Sequence, residues 1–77
     1  MGPTLFIMAI LGCGDAEALC REVRIASTPY PSAEACQAAM GHVLGRNLDL
    51  DFPTVLARCR PESAESARRT LASLPHG

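Results

Sequence analysis

The stretch that decides the fold is Thr4-Leu5-Phe6-Ile7-Met8-Ala9-Ile10-Leu11, TLFIMAIL. It is apolar on both parities, with Phe6, Met8 and Ile10 on one and Leu5, Ile7, Ala9 and Leu11 on the other. A half-buried strand would alternate polar and apolar residues, so this pattern predicts a central strand covered on both faces. The run leads into Gly12-Cys13-Gly14-Asp15, whose glycines and aspartate suit a turn. The same run could serve as the apolar region of an export signal. No Lys or Arg precedes it, however, and its length is far below the roughly 20 residues that cross a bilayer. A lipoprotein-like reading of Ile10-Leu11-Gly12-Cys13 would remove a strand that a small core needs. No membrane span is therefore expected. The cytosol is the expected compartment, with the periplasm as the alternative.

Downstream, Cys20 to Ala26 (CREVRIA) alternates, with Val23 and Ile25 on one side and Glu22 and Arg24 on the other. That is the pattern of a second strand, antiparallel to the first. Ser27-Thr28-Pro29-Tyr30-Pro31 breaks it, because proline lacks a donor and restricts the residue before it. Ser32 is a natural helix N-cap, with Glu34 in the first turn. Cys36, Ala39, Met40, Val43 and Leu44 follow at helical spacing on one face. Gly45 and Asn47 offer stops, Asp49 to Pro53 reads as a loop, and Pro53 to Arg60 (PTVLARCR) alternates again as a third strand. A second helix is predicted from Pro61, with a thin stripe of Ala64, Ala67, Leu71 and Leu74.

Strand, strand, helix, strand assembles most simply with a right-handed crossover. The all-apolar first strand then lies in the middle, in the order 2-1-3. The expectation is one α+β domain over residues 1–77, with a core at about 4–60 and a C-terminal helix or tail at 61–77. The chain has 77 residues, a net charge of -1, two Phe, one Tyr and no Trp. An interior of aliphatic residues and cysteine follows, and the charge balance lacks the basic excess of a nucleic-acid binder.

Four cysteines, Cys13, Cys20, Cys36 and Cys59, are the most informative residues. Zinc sites usually present close pairs such as C-x2-C, and none is present, so no metal is expected. The topology brings Cys13 to Cys20 across the hairpin, and Cys36 at the start of the helix to Cys59 at the end of the third strand. Two disulfides fit this arrangement. Four buried free thiols in a reducing cytosol fit the residue types equally well.

Other chemistry is thinner. Gly12-Cys13-Gly14 could present a reactive thiolate with His42 as its base, but no orienting group or oxyanion donors accompany them. Gly12 and Gly14 lack the third glycine and the Lys-Ser or Lys-Thr pair of a phosphate loop. Arg24, Arg58 and Arg60 form a candidate anion patch if Arg24 shares the arginine face of the third strand, with Glu22 diluting it. Asp49 and Asp51 supply too few oxygens for calcium. Tyr30, between prolines, reads as a cap over the core edge. No cofactor is implied.

The arrangement of Leu5 to Cys13, Cys20-Arg21-Glu22, Ser32 to Leu44 and Arg58-Cys59 resembles short bacterial proteins with no assigned activity. In them an apolar strand ends near a cysteine, a Cys-Arg-Glu strand follows, and an Ala-rich helix leads to a strand ending in Arg-Cys. The likeness covers about residues 4–60. All seven basic residues are Arg, a usage in keeping with a GC-rich bacterial genome. The resemblance implies no activity.

The functional expectation is a non-enzymatic protein-protein interaction module that forms a homodimer. Its sheet face, or the edge strand carrying Val55 to Cys59, would meet a second copy. The alternatives are a thiol redox or thiol-dependent enzyme using Cys13, and an exported disulfide-stabilised domain.

Overall fold

The computed structural model describes residues 4–15 and 19–73. Its elements are β1 (Thr4–Cys13), β2 (Cys20–Ile25), α1 (Ala33–Gly45), β3 (Thr54–Ser63) and α2 (Ala64–Ser73). The three strands form one antiparallel sheet in the order β2-β1-β3, an α+β fold. The two-sided apolar run sits in the centre, where Ile7, Met8, Ala9 and Ile10 lose all contact with solvent. Beyond β2, Tyr30 extends the sheet by exchanging two 2.8 Å backbone bonds with Phe6.

α1 covers the face that carries Met8 and Ile10, burying them with Cys36 and Val43, while Phe6, Tyr30, Val55, Ala57 and Cys59 pack around them. It starts as the sequence predicts: the Ser32 hydroxyl accepts a hydrogen bond from the Ala35 amide, which satisfies one of the helix's unpaired first-turn donors. α2 covers the other face, where Ile7, Ile25 and Ala67 form a second cluster flanked by Leu5 and Leu71. Leu74, the last member of the predicted stripe, lies outside the described residues.

Three details depart from the sequence reading. First, the β1–β2 register slips, so that Ile10 faces Arg24 while Leu11 faces Glu22, and Val23 is the extra residue of a bulge. Glu22 and Arg24 therefore lie on opposite faces of the sheet rather than sharing one. Second, Pro61 lies within β3, and α2 starts three residues later, with the Ser63 hydroxyl accepting from the Ser66 amide. Third, Gly12 is a strand residue. A Cβ built there would lie 2.5 Å from the ring of Phe52, so the glycine makes a flat seat for that ring. No described residue has a positive φ.

α2 packs Ala67 and Leu71 against Ile7 and Ile25, and the rest of this sheet face is also covered within the chain. Ile7 and Ala9 are fully buried and Leu11 is only 5% exposed within the single chain. The expectation that this sheet face needs a partner to cover it is thus corrected. Part of the reason is polar. The Glu62 carboxylate at the end of β3 accepts hydrogen bonds from Ser66 (3.1 Å) and Thr70 (2.9 Å), anchoring α2 by its first two turns.

Candidate interaction edge

All four cysteines are consumed in two bridges, Cys13–Cys20 and Cys36–Cys59. The first joins directly opposed residues of β1 and β2 on the α2 face. The second ties α1 to the middle of β3 on the other face, with Cys36 fully buried. Cys59 is mid-strand rather than terminal because β3 runs on to Ser63. Cys13 and His42 do not meet: Cys13 is bridged on the α2 face, whereas His42 is exposed on α1 across the sheet.

The three arginines of the candidate patch do not converge. Arg24 faces the α1 side, where it donates to Asn47 (2.9 Å) and grips both carboxylate oxygens of Asp49 at 2.8 and 2.7 Å. The hydrogen bond from Arg24 holds Asp49 below its ordinary pKa and raises that of Arg24. Asn47 is buried, and its amide donates to the Val43 carbonyl at 2.7 Å. The network pins the loop after α1 to β2. Asp49 is therefore an ion-pair partner, and no cluster of metal-ligating side chains occurs among the described residues. The Asn47 clip was not foreseen, since its partners lie on separate elements; an Asn just past a helix end was its only trace.

Arg60 lies on the α2 face, bonded to Glu62 at 2.7 Å and also paired with Glu22. The bond to Glu62, with a further contribution from Glu22, raises the Arg60 pKa. Burial pushes Glu62 upward, but the hydrogen bonds from Arg60, Thr70 and Ser66 outweigh it and leave the carboxyl below its ordinary value. Of these three arginines, Arg58 is the exposed one that makes no ion pair among the described residues.

What remains uncommitted is the outer edge of β3. The backbone of Phe6 bonds to Tyr30, so even-numbered residues of β1 direct their N–H and C=O groups toward β2 and odd-numbered ones toward β3. In the β1–β3 register, odd residues of β1 face even residues of β3. Thr54, Leu56, Arg58, Arg60 and Glu62 thus bond inward to β1. Val55, Ala57 and Cys59 turn their backbone groups outward, along an edge that no other strand covers among the described residues. Pro61 is also an outward position, which explains its tolerance inside a strand: its missing donor removes nothing from the ladder. Leu56 stands beside this edge with 48% of its surface exposed. Next to it a cleft of about 430 Å³ is lined by Cys13, Asp15, Cys20, Pro53, Thr54 and Leu56.

No described helix is long and apolar enough to cross a membrane. No family model, curated protein or solved structure matches the chain.

Proposed function

We propose that the chain is a non-enzymatic, disulfide-braced interaction module that associates as a homodimer through the outer edge of β3. The observation that carries this reading is the edge itself. β3 is ten residues long, pairs with β1 along its whole length, and leaves a row of outward backbone donors and acceptors. Such an edge is a template for strand addition, in which main-chain bonds supply affinity. The exposed Leu56 adds apolar surface beside it.

The two bridges support work in an oxidising compartment, because cytosolic thiols are kept reduced. They count against the cytosol expected from the missing basic residues ahead of the apolar run. The rival, thiol chemistry at Cys13, has one observation in its favour: its bridge with Cys20 borders the cleft. Light scattering at micromolar concentration, with thiols counted on the same unreduced sample, tests the reading. A dimer mass and no titratable thiol, native or denatured, are expected. A monomer mass removes the homodimer, and a rapidly reacting native thiol favours the rival.

A further inference from the structure

This inference rests on the dimer reading above and specifies how two copies meet. Three features of the β3 edge constrain its self-pairing. The outward groups belong to odd residues, so in a two-fold antiparallel pair odd must face odd for hydrogen bonds to form. Prolines stand at positions 53 and 61, both odd, and neither can donate. Arg58 is exposed and free of ion pairs among the described residues, so a register placing it opposite its own copy would desolvate two like charges.

A two-fold axis at residue 58 sets Arg58 against Arg58 and wastes a bonding position on Pro61. An axis at residue 56 sets Cys59 against Pro53, which cannot donate, and carries pairing beyond the start of β3. An axis at Ala57 avoids every one of these faults. Val55 then faces Cys59 of the second copy, Ala57 faces Ala57, and about six backbone bonds form. The two prolines fall opposite one another at both ends, so the pairing stops where the donors stop. On the α2 face, Leu56 lies opposite Arg58 of the second copy, whose aliphatic stem covers the exposed leucine while its guanidinium reaches water.

We infer that the chain dimerises by antiparallel β3–β3 pairing about a two-fold axis at Ala57, forming one continuous six-stranded sheet in which Leu56 of each copy is capped by Arg58 of the other.

The register gives opposite signs to two substitutions at one exposed site. Leu56→Glu places a carboxylate opposite each Arg58 and should tighten the dimer by about threefold or more, whereas Leu56→Arg opposes like charges and should weaken it by a similar factor. Sedimentation equilibrium at low salt on the oxidised full chain reads both constants, with circular dichroism confirming the fold. The combined Leu56→Arg, Arg58→Glu exchange should return the dimer to near parental affinity, and it decides the matter if Leu56→Glu fails to fold. A parent that dimerises while Leu56→Glu weakens it, or while the exchange fails to rescue, overturns this register and leaves the dimer reading standing. A parent that stays monomeric overturns both.

Discussion

Removing the two bridges one at a time should destabilise the domain unequally. Cys36–Cys59 closes a separation of 23 residues and Cys13–Cys20 one of 7. The loop-entropy relation turns these into about 3.4 and about 2.4 kcal/mol at 25 °C. A domain of 77 residues has a total stability of roughly 4–12 kcal/mol, so either loss is a large share of it. Burial does not offset this difference, because each bridge joins one buried cysteine, Cys36 or Cys13, to one half-buried cysteine, Cys59 or Cys20. The Cys36→Ala, Cys59→Ala variant should therefore melt about 14–27 °C below the parent, and the Cys13→Ala, Cys20→Ala variant about 9–19 °C below it. Thermal unfolding followed by circular dichroism without reductant measures both. The reasoning is refuted if the hairpin variant is the less stable of the two, or if the helix-to-strand variant melts within about 5 °C of the parent.

Two further outcomes follow from the same contacts. Gly12→Ala drives a methyl group into the Phe52 ring and should cost about 1–3 kcal/mol, with Phe52→Leu in the same chain recovering part of the loss; urea midpoints without recovery would show that the ring is not the obstacle. Glu62 has a folded-state pKa below its unfolded value, so its contribution is full above about pH 4.3 and is lost as pH falls through the lower folded value. Acid titration should accordingly unfold the parent at higher pH than pH-independent stability would allow, and Glu62→Gln should flatten the profile below that point. A Glu62→Gln profile parallel to the parent's would remove Glu62 from the acid response.

The parts of this fold that were legible in the sequence are those set by local pattern. The apolar parity of Leu5 to Leu11 names the central strand, Ser32 with Cys36, Ala39, Met40 and Val43 names α1, and the resulting topology pairs the four cysteines correctly. What was not legible depends on partners distant in the chain. The bulge at Val23 has no glycine or proline to announce it; it moves Glu22 onto the face of Arg60 while Arg24 reaches Asp49 on the other. Pro61 satisfies two readings at once, since a missing donor is harmless both in a helix first turn and on the outside of an edge strand. The clamp on α2 joins Glu62 to Thr70 eight residues away, and Arg60 to Glu22 38 residues away, spacings no periodicity reports. Gly12 looked like a turn residue because the ring that needs its flat surface, Phe52, is forty positions downstream.

Residue-resolved amide hydrogen exchange tests most directly whether the outer edge of β3 is occupied in solution, as proposed. The amides of Val55, Ala57 and Cys59 point away from β1 and have no strand partner among the described residues, so in a monomer they exchange quickly while the amides of Ile7 and Ala9 remain protected. At the same micromolar concentration as the light scattering we predict protection of Val55, Ala57 and Cys59 that disappears only on dilution below the dissociation constant, with Ile7 and Ala9 unchanged. Rapid exchange of these three amides at every concentration, with the central strand still protected, would contradict the account.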